Sequence, residues 1–137
     1  MSNSTNLAAE FFVASQLHRL GYIVTLTLGN TKEVDLLVAH PDGRKVSIDT
    51  KGLKNKTNWP LTPKLKRKDH FFALVSYVNH FEDVECQPEV FIIPSVEIDK
   101  VLTGWSGSKT VTCVGYSKLK NSKYKKAWPL LFNSKLG

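Results

Sequence analysis

The segment that most restricts the fold is HPDG, residues 40–43, set between two runs of alternating character, VDLLVA (34–39) and RKVSIDT (44–50). Pro41 suits the second position of a type I turn and Gly43 the left-handed position after it, so a three-residue hairpin loop is predicted. If His40 and Arg44 close the loop, paired residue numbers add to 84. That register sets Asp35 opposite Asp49 and Glu33 opposite Lys51. The two-residue period of a strand then places Asp35, Asp49 and Lys51 on one face, with Val46, Ile48 and Thr50 on the other. Two aspartates facing each other across a hairpin cost up to about 1 kcal/mol, so the pair calls for a compensating cation. A slip of one residue would send Asp35 to the opposite face.

The other elements follow from periodicity. LAAEFFVASQLHRLG (7–21) reads as an amphipathic helix, with Leu7, Phe11, Ala14, Leu17 and His18 at helical spacing, Asn6 or Thr5 as cap and Gly21 as stop. Glu10 falls inside the apolar arc, where an acid is out of place, although a first-turn acid is also favoured by the helix dipole. His18 reads as a core histidine, and Phe12, on the opposite side of the helix, as a clue to a contact between two copies of the chain. YIVTLTL (22–28) is a β-branched first strand. Residues 52–70 are basic and irregular, with Thr62 as cap and Pro63 at the first helical position of a short helix running to Lys68. FFALVSY (71–77) and EVFIIP (89–94) read as buried strands, SVEIDKVLTGW as a short helix capped by Ser95, VTCVGY as a strand, and AWPLLF as a docking segment. The expected class is α/β (α+β) in one domain over residues 1–137: a mixed central sheet flanked by helices, in the order αβββαβ.

Charge and motif content narrow the chemistry. The net charge of +7 favours polyanionic partners. Eleven of the 19 Lys and Arg lie in two short segments, 54–68 and 118–126, while half of the 12 acids fall between Glu82 and Asp99, which predicts a face of one sign. No phosphate-binding glycine loop, dinucleotide fingerprint, H-E-x-x-H or G-x-S-x-G is present, which argues against an ATPase, a dehydrogenase or a triad hydrolase and gives no nucleotide cofactor. Cys86 and Cys113 stand apart, with no C-x-x-C, so neither a zinc site nor a disulfide framework is expected and the thiols read as buried or incidental, and His70 and His80 show no usable spacing. The polar start MSNSTN and the lack of a long apolar run predict a cytoplasmic protein without membrane contact.

Glu10 on a helix, Asp35 opening a strand and Asp49-x-Lys51 ending the next form a pattern that resembles the PD-(D/E)xK phosphodiesterase superfamily. Its small single-domain members of Holliday-junction-resolvase type look most similar, over roughly residues 7–94. The proline of the signature is absent, since Val34 precedes Asp35. The resemblance implies that Asp35 and Asp49 are the metal-binding acids, Lys51 the lysine and Glu10 the helix acid. It implies a DNA endonuclease that leaves a 5′-phosphate and a 3′-hydroxyl, and a homodimer. Such chemistry suits these residue types. Mg²⁺, or Mn²⁺ in its place, takes hard oxygen ligands from Asp35, Asp49, the Thr50 carbonyl and Glu10, while Lys51 orients water or offsets phosphate charge.

The basic segment after Lys51 supplies candidate nucleic-acid contacts: Lys54, Lys56, Lys64, Lys66, Arg67 and Lys68 to phosphates, and Trp59 as a stacking residue. Each residue also has a structural reading: Lys51 paired with Glu33, Asp35 as a strand-entry turn residue, Asp49 as an exposed strand acid, the lysines as a solvated face, Trp59 packed on the core. Two rival functions stay open, a catalytically inactive nucleic-acid-binding module of the same fold and a basic inhibitor or interaction protein.

Overall fold

A computed structural model of the chain describes residues 4–28, 34–104 and 111–132. Helix α1 (Ser4–Arg19) leads into strands β1 (Ile23–Leu26), β2 (Leu36–Ala39), β3 (Lys45–Leu53), β4 (Asn58–Pro60), β5 (His70–Ser76) and β6 (Glu89–Pro94). A 3₁₀ turn (Ser95–Lys100), β7 (Leu102–Gly104), β8 (Thr112–Gly115), the four-residue helix α2 (Tyr116–Leu119) and a second 3₁₀ turn (Trp128–Phe132) complete it. The main sheet has the order β1-β2-β3-β5-β6, mixed because β3 and β5 run parallel while the other neighbours are antiparallel. A second sheet, β4-β8-β7, covers part of its other face.

The layers follow from side-chain period. β5, HFFALVS, is buried along its whole length because it is central and covered on both faces. Its odd-numbered residues Phe71, Ala73 and Val75 pack with Val46, Ile48, Leu36 and Val38 against Ala9, Val13 and Leu17 of α1. Its even-numbered Phe72 and Leu74 pack with Trp59, Phe91 and Ile93 toward the second sheet. Burying a side chain such as Leu17, fully enclosed in the first cluster, contributes about 1.5–3 kcal/mol.

The hairpin register holds. Leu36–Ile48, Leu37–Ser47, Val38–Val46 and Ala39–Lys45 are paired, His40 N–H donates to Arg44 O, and Gly43 sits at φ 99. Glu33 lies outside the described residues, so its pairing with Lys51 is not seen. The main sheet, flanked by α1 and the short helical turns, is the mixed α/β architecture expected.

Several local expectations are corrected. No helix forms over 62–68: residues 61–67 have no regular structure, and the crossover from β3 to β5 contains β4 instead. Arg67 N–H, which in a helix would bond to Pro63 O, is taken by Ser95 Oγ, and Leu61 N–H just before the expected cap pairs with Thr112 O. Ser95 caps nothing, because its hydroxyl also donates to Arg67 O. The buried stripe of α1 is rotated: Thr5, Ala9, Glu10, Val13, Ala14 and Leu17 face inward, Phe11 and His18 are exposed, and Phe12 packs on the core. The cause is close approach, which favours alanine over phenylalanine on the sheet side. A Cβ on Gly52 would stand 2.5 Å from Thr5 O. The closing segment docks as expected, with Leu131 buried and Phe132 stacked near Tyr22 and His40. No described helix is long and apolar enough to cross a membrane.

Candidate active site

β2 and β3 part company at the site. Their ladder ends at Leu36–Ile48, whereas β3 continues beside β5 to Leu53. Beyond Ile48, the β2 side of β3 is left without a strand partner among the described residues. Side chains take over. Asp35 N–H still reaches Ile48 O (2.9 Å), then the Asp35 carboxylate accepts the Thr50 N–H (2.7 Å), and two residues on Asn6 Oδ1 accepts the Gly52 N–H (2.7 Å). The N–H and C=O of one strand residue point to the same side, so the Thr50 carbonyl also faces this fork.

Helix α1 brings the third acid. Asn6 and Glu10 are four residues apart, hence on one helix face and about 6 Å apart along the axis. That matches the spacing of Gly52 and Thr50, about 6.6 Å apart on the strand. With Asn6 fixed to Gly52, Glu10 falls beside the Asp35 carboxylate. It is 9% exposed, and burial, with Asp35 second, pushes its carboxyl up to about 7 while Lys51 pulls the other way. Asp49 shares a hydrogen bond with Asp35. Burial, then that bond and the Asp35 charge, push its carboxyl up to about 8, against Lys51. A site holding three acids and one lysine favours keeping a proton or acquiring a cation.

Glu10, Asp35, Asp49 and Lys51 are therefore brought together, through one ladder that stops early and one helix pinned at Gly52. The Thr50 side chain lies buried on the opposite face, leaving only its carbonyl toward the acids. Asp49 and Lys51 open on a groove of about 350 Å³ whose far wall includes Lys64 and Thr112.

The basic segment divides. Lys64 is exposed at this groove, and Lys56 is exposed. Lys66 is paired with Asp99 (2.9 Å), Arg67 with Asp69 (3.0 Å), and Lys54 lies over the Phe81 ring. Lys68 lines a separate apolar groove beside Phe71 and Leu131. Trp59 is not a stacking residue: it is fully buried, its Nε1 donates to Val75 O, and it packs on Phe91 and Tyr116. The predicted one-signed face is also corrected. Glu97 meets Lys123 and Lys100, and Glu89 meets Lys125, so two of the six acids between Glu82 and Asp99 interleave with the second basic cluster.

Two groups escaped the sequence reading. Buried His70 shares a 2.7 Å hydrogen bond with Ser47 Oγ, two residues before Asp49; burial, with Arg67 next, holds its pKa down at about 4. Its place at the start of a buried strand was the available signal. His80, Asp83 and Cys86 gather on one loop, at a spacing of three residues that was visible in the chain.

No family model matches the chain, and no curated protein matches it. Among solved structures it is similar to the bacterial homing endonuclease I-Ssp6803I, at 17% identity and a TM-score of 0.53, over 96% of this chain and 92% of that one. What the two share across almost their whole lengths is the fold, a mixed α/β architecture.

Proposed function

We propose that the chain is a metal-dependent endonuclease of the PD-(D/E)xK type that hydrolyses DNA. The observation that carries this reading is the contact of Asp35 with Asp49, flanked by Lys51 and Glu10, where β3 loses β2. The donor set fits Mg²⁺: hard carboxylate and carbonyl oxygens, with no imidazole or thiol among the four residues. Asp35, Asp49 and the Thr50 carbonyl would hold Mg²⁺ or Mn²⁺, with Glu10 joining through a water. When bound, the ion supplies Lewis acidity to the phosphate and lowers the pKa of water.

The remaining steps belong to the chain. The Thr50 N–H fixes the Asp35 carboxylate, so the pair is oriented before substrate arrives. The Lys51 ammonium orients the attacking water or offsets charge growing on the phosphate. Lys64, across the groove, neutralises a neighbouring backbone phosphate. The overall charge of +7 and the likeness to a homing endonuclease support DNA as substrate. A homodimer belongs to the reading, since two sites are needed to cut two strands in one encounter, and exposed Ile23 and Leu37 on the β1–β2 pair supply apolar surface for it.

The test is cleavage of plasmid, linear and branched DNA with Mg²⁺ or Mn²⁺, with a chelator and Asp49→Asn as controls. Metal-dependent cutting by the wild type and none by the variant is expected. No cutting of any substrate, or equal cutting by the variant, rejects catalysis.

A further inference from the structure

The loop between β5 and β6 carries a second constellation, chemically unlike the first. His80, Asp83 and Cys86 offer an imidazole nitrogen, a carboxylate oxygen and a thiol sulfur that all lie within 4.8 Å of one another. We propose that these three residues form a site for a borderline-soft divalent cation, Zn²⁺ or Co²⁺, with the remaining coordination position left to solvent.

The loop is built to hold the three donors. β5 ends at Ser76, whose hydroxyl accepts the Val78 N–H; Val78 and Asn79 then both take positive φ, 44 and 69. A β-branched residue in that region is rare, and it is held here because Asn79 N–H donates to Lys54 O and His80 N–H to Tyr77 O. Two turns follow in register: Asp83 N–H donates to His80 O (3.0 Å) and Cys86 N–H to Asp83 O (2.9 Å). Each turn advances three residues, so the three side chains emerge on one side of the loop.

The donors are also oriented. Asp83 Oδ1 accepts the Glu85 N–H, and Asp83 Oδ2 accepts the Cys86 S–H at 3.2 Å. An aspartate turn accounts for the first contact and a thiol cap for the second, but neither accounts for His80 beside both. A cation replaces the thiol proton: one Zn–S bond forms, one S–H bond breaks, and the proton leaves to solvent. Without a cation the Asp83 carboxylate, through its hydrogen bond, holds the thiol above its ordinary pKa. Glu82 and Glu85 make the loop acidic within a basic chain, which favours cation entry.

The ligand types separate this site from the carboxylate cluster. Thiolate and imidazole select zinc-like ions, whereas Mg²⁺ takes only hard oxygen donors.

The experiment is titration of the full reduced chain with Co²⁺, followed by near-ultraviolet thiolate-to-cobalt charge-transfer absorption, with Zn²⁺ as competitor. The band is expected to saturate at one equivalent, vanish on adding Zn²⁺ and be lost in Cys86→Ser. It should persist in Cys113→Ser, since Cys113 is buried elsewhere, and in Asp49→Asn, since that site has no sulfur. His80→Ala and Asp83→Asn should each weaken binding by more than about tenfold. Absence of the band in the wild type, its survival in Cys86→Ser, or its loss in Cys113→Ser or Asp49→Asn overturns the proposal.

Discussion

Within β3, Ser47 and Ile48 are paired on both sides, to β2 and to β5, whereas Asp49 to Leu53 pair with β5 alone among the described residues. The first part is closed by backbone and apolar packing; in the second, the Asp35 and Asn6 side chains accept the Thr50 and Gly52 N–H groups. One continuous strand thus passes from a segment closed on both sides to one that carries the proposed catalytic residues, and the change happens between Ile48 and Asp49. Substitutions on either side of that boundary should separate the two roles.

The largest effect is expected at Asp49. Asp49→Asn keeps the shape and removes one carboxylate, and should lower cleavage by on the order of 100- to 1000-fold, comparable to deleting one preorganised electrostatic group. Stability should move the other way. The Asp49 carboxyl titrates at about 8 in the folded chain, above the ordinary carboxylate value, so the folded state binds more protons and metal-free stability falls as pH rises toward 8. Thermal melts at pH 5.5 and 8.5 should show this loss in the wild type and a smaller one in the variant. A variant less stable than wild type at pH 8.5 would show that Asp49 serves the fold.

His70 probes the closed part. It pairs with Ser47 and titrates at about 4 rather than 6.5, because burial first, then Arg67, disfavour its charge against the pull of Asp69 and Asp35. A depressed histidine supports the fold fully above the unfolded pKa, and that support is lost as pH falls from about 6.5 to 4. The loss should amount to about 2–3 kcal/mol, read from denaturant melts across that window, with His70→Gln flattening the curve. Equal slopes in the two proteins would remove His70 from the account.

Gly52 tests how closely the helix must approach. A methyl group there would meet Thr5 O at 2.5 Å and Thr5 C at 2.9 Å, both backbone atoms that move only with the helix. Gly52→Ala should cost about 1–3 kcal/mol as overpacking. Cleavage should fall as well, since α1 carries Glu10. Full activity in a destabilised variant would detach Glu10 from catalysis.

What could be read from the chain follows the same division. The hairpin was legible because HPDG has one low-energy loop geometry, and that loop fixed the register that brings Asp35 to Asp49. β5 and β6 were legible because buried strands are nearly unbroken apolar runs. Glu10 showed itself by standing where an apolar residue belonged. The misreadings have a shared cause, in that tertiary partners outweighed local pattern. Thr62-Pro63 signals a helix start, yet Ser95 and Thr112 capture the backbone of 61–67. Trp59 in a lysine-rich stretch resembles a surface wedge, yet its segment forms β4 and turns the indole into the core. Phe11 outranks Ala9 in hydrophobicity, yet the close fit at Gly52 leaves room only for alanine. Nothing local in the sequence reveals Asn6 as the acceptor for the Gly52 N–H, because its role depends on a residue 46 positions away.

Asn6 is accordingly the finest probe of the open side. Its Oδ1 is the acceptor for Gly52 N–H, and removing it leaves a half-buried donor whose loss is worth about 1 kcal/mol. Asn6→Ala should cost that much in stability. Asn6→Asp retains an acceptor at the same reach and should restore most of it at neutral pH, while adding negative charge to a cluster that already holds three acids. The two variants should then diverge in metal dependence, with Asn6→Ala raising the Mg²⁺ concentration needed for half-maximal cleavage and Asn6→Asp lowering it. If both lose stability equally, the amide rather than the acceptor holds the helix. If both keep wild-type metal dependence, the helix reaches its place without Asn6, and the helix–strand spacing that aligns Glu10 with Thr50 is set by the Gly52 contact alone.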